Sequence, residues 1–508
     1  MIFLLVALAA LLRTLMSYFT IVIARDTVNF IDVASALAVG DIFALIAEEQ
    51  HPFYPLLIAV VHSFSASWVI SAKVVAVVMG ILTVFPLYFL ARHLFDAKTA
   101  YISVFLYAIS PYLVRYSADG LSESTYGCML MLTLLSGYIL ISRHRNIFSG
   151  ILTGFLSGLT YLTRPEGVLV GCVVIAGVVV YDLASRKKRF LRLVICVAMI
   201  VVGFMIVALP YMYCIKHVTG KWRFTAKKPV TMLIPFLNDS DVERSSPDIS
   251  GHLDIVSDAV NMASVMRFEG LGSVANALIQ TFHPLLFLFF IAGCVFLRRT
   301  TVQWNRTAGY LLIGWSAVML YILYRLAGSY YISKRHLYPF VVVLLPFAAL
   351  GMRHVVSLVM KYGMIKRERI AVTFILLIVS VVILPKTLKP QRTDKWYLLD
   401  IKHELAGYIT GNPFIAVDDE RIGFYAGLQY TVIEKEHIPP ETFLSELNVK
   451  NIQYLLVSED FIEKFLTEAI NFSLLSNRIV HLASFEFPDT TYYLYEISKV
   501  STDDYSGH

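Results

Sequence analysis

The stretch MIFLLVALAALLRTLMSYFTIVIARD, residues 1–26, decides the fold. From Ile2 to Ala24 it is an apolar run, long enough to cross a hydrocarbon core roughly 30 Å thick. The run is too long for a signal peptide and lacks a small-residue cleavage site, so it is expected to stay as a helix. The first acid of the chain, Asp26, follows directly, where that helix should leave the bilayer. A carboxylate at such a boundary is costly to bury and often marks a functional site; the plainer alternative is a solvated acid.

The rest of the composition agrees with a membrane protein. Of 508 residues, 57% are hydrophobic and 16% charged, and the mean hydropathy is +0.66. Soluble domains carry roughly 25% charged residues. The net charge of +6 does not call for a nucleic-acid partner, because Lys and Arg gather in short connections between apolar runs. The cysteines Cys128, Cys172, Cys196, Cys214 and Cys294 lie in or beside apolar segments without metal-like spacing and read as packing residues.

Ten further apolar runs follow the first, near Ser67–Leu90, Thr99–Leu113, Glu123–Ile141, Ile147–Leu162, Val168–Leu183, Leu191–Tyr211, His283–Leu297, Thr307–Tyr324, Tyr338–Met352 and Ile370–Leu384. Together they predict about 11 transmembrane helices. Basic residues at Arg92/Lys98, Arg143/Arg145, Arg186–Arg189, Arg298/Arg306 and Lys366/Arg369 fall in alternate connections. Those connections are then cytoplasmic, the N-terminus is cytoplasmic, and everything after Pro385 lies outside.

The outer first loop, with apolar positions at helical spacing from Thr27 to Val39 and again from Ile42 to Ala47, reads as short interfacial helices. The sequence therefore divides into residues 1–385, a transmembrane domain, and residues 386–508, a soluble extracytoplasmic α/β domain. In the latter, Phe414–Val417, Tyr430–Ile433, Ile452–Val457, Ile479–Phe487 and Thr491–Ile497 read as strands. Asp419–Ala426, Glu441–Leu447 and Phe461–Ile470 read as helices.

An ordered series of motifs runs through the membrane region: Asp26; His51-Pro52-Phe53-Tyr54-Pro55; Ser122-Glu123; Leu162-Thr163-Arg164-Pro165-Glu166-Gly167; Pro210-Tyr211 with Thr219-Gly220-Lys221-Trp222; and Arg335-His336-Leu337-Tyr338-Pro339. In order and sidedness this series resembles the bacterial GT-C membrane glycosyltransferases, in the branch of the protein O-mannosyltransferases and the lipid A aminoarabinose transferase. Ile422-Gly423-Phe424-Tyr425-Ala426-Gly427 resembles members with an outer domain. The resemblance implies a GT-C fold in the bacterial inner (plasma) membrane. It also implies transfer of a sugar from a polyprenyl-phosphate donor to a lipid, glycan or protein acceptor on the outer face. Thr27 stands where the family usually carries a second acid, so no second carboxylate is identified there.

The residues suit that chemistry. An acceptor hydroxyl attacking a sugar C1 needs a positioned base, and Asp26 is the candidate. The leaving phosphate gains negative charge, which cations can stabilise. Arg164, Lys221, Lys228 and Arg335 all lie on the expected outer side, against the usual bias, and are candidate donor-binding groups. For Lys221 and Lys228 the alternative is contact with lipid headgroups. Asp119 and Glu123, four residues apart, would share a face on one helix and could touch a sugar or a cation, or simply cap a helix end. Glu166 is placed to pair with Arg164 or to make a turn. His51 with Glu48 or Glu49 is a candidate divalent-metal site, although a lone His more often serves as a hydrogen-bonding residue. A lipid-linked sugar transporter or flippase is the alternative function. It is disfavoured because no internal repeat is evident and the polar candidates collect at one face. A non-catalytic assembly role would leave Asp26 and Arg335 without a task.

Sidedness underlies every role above. Cysteines introduced at Ser142 and Thr410, in a background lacking the native five, should react with a membrane-impermeant thiol reagent from opposite sides. Labelling of both from one side would reject the topology.

Overall fold

The computed structural model describes residues 1–142, 146–184, 190–226, 272, 274–297, 305–327, 333–363, 365–409, 411, 413–433, 452–463, 479–487 and 490–497. Among these, eight helices are long and apolar enough to cross a membrane. A ninth span arises if Val274–Phe282 and Pro284–Phe296, bent by 103°, count as one. Ala97–Ile109 and Ile147–Thr163 are shorter apolar helices at two more of the expected positions. The protein is thus an integral membrane protein, and each of the eleven expected runs meets a helix.

The helices differ in how far protein surrounds them. In Glu123–Ser142 and Lys334–Lys361, 78% and 72% of the apolar window is buried, against 22% in Ile2–Phe19 and Phe190–Thr219. The first two therefore form the centre of the bundle and the last two lie at its edge. Small residues allow the close contacts that lipid-phase packing requires. A Cβ on Gly154 would sit 1.9 Å from the Ile200 carbonyl oxygen, and one on Gly203 2.1 Å from that of Ile151. The two helices, Ile147–Thr163 and Phe190–Thr219, meet backbone to backbone along this line. Arg13, inside the first span, is fully buried. Its guanidinium lies 4.4 Å from the Tyr107 ring centroid and donates to the carbonyls of Ala9 and Tyr107.

Two compact units emerge. One comprises Met1–Tyr18 and Phe30–Lys389; the other comprises Phe19–Asn29 and Pro390–His508. The second holds a five-stranded sheet of order β2-β1-β3-β5-β4, with β1 Phe414–Val417, β2 Gln429–Val432, β3 Tyr454–Ser458, β4 Ile479–Phe487 and β5 Thr490–Ile497. β1 pairs in parallel with β2 and β3, while β5 runs antiparallel to β3 and β4. Side-chain alternation splits β1 between two cores: Ile415 and Val417 face one, Ala416 the other. All five expected strands are present. The Asp419–Ala426 helix is observed as Glu420–Ala426. The expected Glu441–Leu447 helix and residues 464–470 of the last one lie outside the described residues.

The first apolar run departs from expectation. Its helix ends at Phe19, and Asp26 belongs to the first turn of a separate helix, Arg25–Ala38. Between them Val22, wholly buried, joins the hydrophobic core of the second unit with Leu398, Ile401, Ile415 and Ile422. Hydropathy cannot tell a lipid-facing valine from one in a protein core. The Leu191–Tyr211 run also departs from expectation: the helix does not end at Tyr211 but continues to Thr219, because Tyr211, Met212 and Ile215 bury against Leu45, Ile46 and Tyr161.

Gly154→Ala should force the two helices apart and destabilise the protein by about 1–3 kcal/mol. Earlier thermal unfolding in detergent would register this; unchanged stability would contradict the close approach at Gly154.

Candidate active site

Glu123 is the first residue of the Glu123–Ser142 helix, where the positive end of the helix favours a carboxylate. It is 1% exposed. A carboxylate so deeply buried needs cationic partners, and two arginines supply them. Arg335 donates from Nε to Glu123 Oε1 at 2.5 Å, and Arg164 from Nη1 to the same oxygen at 3.1 Å. Glu123 Oε2 is buried and makes no hydrogen bond among the described residues.

Local sequence explains how each arginine arrives. Arg164 closes the Ile147–Thr163 helix in an extended conformation, as a residue before proline prefers, and Pro165–Gly167 follows as a short 3-10 turn. A Cβ on Gly167 would meet the Thr160 backbone at 2.3 Å, so glycine is needed for the turn to pack there. Arg164 Nε donates to Glu166 Oε1 at 2.7 Å. Arg335 sits in the 3-10 turn Lys334–Leu337, which is capped by Ser333: its hydroxyl accepts from the Arg335 N–H, and its own N–H donates to His336 Nδ1.

The result is a chain of alternating charge, Glu166–Arg164–Glu123–Arg335. Burial alone would depress the Arg164 guanidinium, but Glu166 and Glu123 outweigh it and hold its pKa above the ordinary value. Exposure rises outward from the carboxylate, with 17% at the Arg164 side chain and 24% at Arg335. A fixed acid therefore presents two oriented guanidiniums, a form suited to phosphate oxygens.

The other expected residues are placed separately. Asp119 is 1% exposed and 3.6 Å from Arg115 Nε, but it ends the preceding helix Pro111–Ala118. Gly120, at φ +70°, breaks the chain there, so Asp119 and Glu123 do not share a helical face. His51 is buried beneath Tyr161 and Tyr211, at ring distances of 5.3 and 5.0 Å, with Nε2 3.1 Å from the Thr225 hydroxyl. Glu48 is exposed, and Glu49 adopts φ +51°, rare for a non-glycine residue. Among the described residues no three His, Cys, Asp or Glu side chains are grouped to hold a metal, so His51, Glu48 and Glu49 do not by themselves fit one. Lys221 is exposed just beyond the Phe190–Thr219 helix, and Lys228 lies outside the described residues.

Asp26, half-buried, belongs to the second unit. Beside it is a cluster that sequence reading missed. Asp419, at the carboxyl end of β1, accepts from Arg421 Nε at 2.9 Å and Nη2 at 2.6 Å, and from Arg25 Nη2 at 3.1 Å. Burial raises the Asp419 carboxyl, yet Arg421 and Arg25 together bring its pKa down to about 2. The run Asp418-Asp419-Glu420-Arg421 directly after a strand was the available signal.

Comparison with known proteins agrees with this architecture. Residues 49–213 match the family described as dolichyl-phosphate-mannose-protein mannosyltransferase. No curated protein matches the chain in sequence. Among solved structures, ArnT from Cupriavidus metallidurans bound to undecaprenyl phosphate is similar with a TM-score of 0.60 at 14% identity, over 97% of both chains. The oligosaccharyltransferase AglB from Archaeoglobus fulgidus, in complex with an inhibitory peptide and a dolichol-phosphate, gives 0.53 at 14% identity over 97% of this chain and 74% of its own. The mycobacterial arabinofuranosyltransferase AftD gives 0.55 at 14% identity, over 98% and 42%. With a match that covers 97% of both chains in the first of these structures, the chain has the fold of the GT-C membrane glycosyltransferases.

Proposed function

We propose that the protein transfers a sugar from a polyprenyl-phosphate donor to an acceptor hydroxyl at the outer membrane–water interface, with inversion at the sugar C1. The observation that carries this reading is the pair Arg335 and Arg164, oriented by the buried Glu123, within a GT-C fold. Two proteins of this fold were solved with polyprenyl phosphates, undecaprenyl phosphate in one and dolichol-phosphate in the other. That supports a lipid-phosphate donor here.

In the proposed step the acceptor oxygen attacks C1 as the bond from C1 to the phosphate oxygen breaks. Asp26 takes the acceptor proton. The departing phosphate monoester gains charge, and Arg335 and Arg164 stabilise it through charge-assisted hydrogen bonds. Glu123 and Glu166 keep the two guanidiniums aimed. Residues 1–385 would then form the catalytic membrane domain of a bacterial plasma-membrane protein, with a cytoplasmic N-terminus and residues 386–508 on the outer face. The acceptor class is a hydroxyl of a lipid, glycan or protein.

Purified protein in detergent, where no vesicle gradient exists, should release polyprenyl phosphate from a radiolabelled donor and move the sugar to envelope acceptors. Failure with every polyprenyl-phosphate sugar offered, alongside gradient-dependent movement of such a lipid in vesicles, would favour a transporter. Asp26→Asn keeps shape but removes the proton acceptor, so turnover should fall by about 10²–10⁴ while the protein still folds. Near-normal turnover would remove Asp26 from the base role.

Arg335→Lys retains charge but not the planar fork, and donor affinity should weaken. Arg335→Ala also leaves Glu123 with Arg164 as its one remaining arginine, at a cost of about 1–3 kcal/mol in stability. Adding Glu123→Gln to Arg335→Ala should recover the unfolding midpoint but not transfer. If transfer returns with stability, Arg335 serves the fold alone.

A further inference from the structure

Residues 22–25, immediately before Asp26, are held at four points by one unit of the protein. The Val22 side chain is fully buried in the core formed by Leu398, Ile401, Ile415 and Ile422. The Val22 carbonyl accepts from Arg392 Nη1 at 3.2 Å. The Ile23 N–H donates to the Tyr425 hydroxyl at 3.1 Å. Arg25, the first residue of the Arg25–Ala38 helix, pairs with Asp419 at 3.1 Å.

Asp419 is well suited to act as the anchor for this turn. It is 2% exposed, and its two oxygens are taken by the Arg421 fork, with the Arg421 backbone N–H adding a third bond at 3.1 Å. Its position at the end of β1, between two parallel neighbours, is the edge where α/β sheets hold ligands. Here Arg25 of the same chain reaches that edge.

The pair between Arg25 and Asp419 does little for stability, because the Arg25 side chain is 53% exposed and such pairs are screened. Its effect is geometric. Fixing Arg25 fixes the first helical turn, and Asp26 is the next residue in that turn.

We infer that Asp419, oriented by Arg421, is a positioning residue that acts through Arg25 to set the carboxylate of Asp26 for proton transfer. This rests on the proposed role of Asp26 as base. A misplacement of about 1 Å at a catalytic group can cost on the order of 10²-fold in rate, so a contact with little energetic weight can still govern turnover.

The test uses full-length protein in detergent, with transfer measured for Arg25→Ala, Arg25→Lys, Asp419→Asn and Asp26→Asn. Arg25→Ala and Asp419→Asn should lower kcat by about 10–10²-fold with little change in the donor KM. Arg25→Lys should recover most of the loss. In an Asp26→Asn background, Arg25→Ala should add nothing to the residual rate, because Arg25 acts only through Asp26. If Arg25→Ala keeps normal kcat while Asp26→Asn loses activity, the positioning role is wrong and the base assignment stands. If Arg25→Ala lowers the rate equally in both backgrounds, its role is general to the fold and the inference fails. Near-normal turnover in Asp26→Asn overturns the base assignment, and the inference with it. Should Asp419→Asn not fold, the half-exposed Arg25 variants decide the matter alone.

Discussion

A carboxylate taken almost wholly out of water must be neutralised or paired, and the constraint at Glu123 organises the centre of the membrane unit. Its Oε1 joins Arg164 and Arg335, which lie 41 and 212 residues further along the chain. Glu123 begins one central span, Arg335 stands in the turn that opens the other, and Arg164 ends a third helix. The bond network therefore ties together segments that apolar packing alone would leave free to slide, since lipid-phase helices lack a hydrophobic force to set their register. The same network leaves guanidinium edges toward solvent, so one arrangement fixes the bundle and presents positive charge.

Much of the fold was legible in the sequence, for reasons that differ between the two units. In the membrane unit, length and hydropathy suffice to mark the spans. In the α/β unit, period-two patterns bounded by turn residues placed all five strands, including the long pair β4 and β5. What hydropathy could not do was assign Thr20–Ala24, because burial in lipid and burial in a protein core demand the same side chains. Nor could spacing foresee that Gly120 takes a left-handed conformation and separates Asp119 from Glu123.

The candidate site was legible as a set of residue types but not as contacts. Charged residues on the expected outer side stood out one by one, since each violates the local bias. Their union at a single carboxylate oxygen depends on packing over hundreds of residues, which no local pattern records. Asp419 and Arg421 escaped notice for a related reason: in a soluble domain an acid and a base two residues apart are commonplace. Only the arrival of Arg25 gives them a distinct task.

The threading of residues 19–29 into the α/β unit bears on how the protein is made. Ile23 and Tyr425 are 402 residues apart, and Val22 and Arg392 are 370 apart. The ribosome delivers the N-terminal piece first, and it must wait through synthesis of every later membrane helix before its receiving surface exists. Closing so long a loop carries an entropic cost, and the core around Ile415 and Ile422 cannot be completed until it is closed. Assembly of this domain is then a late event in biogenesis that joins segments made 370 and 402 residues apart. A chain stalled midway keeps Val22 without its partners, and the domain cut loose on its own would lack a piece of its interior.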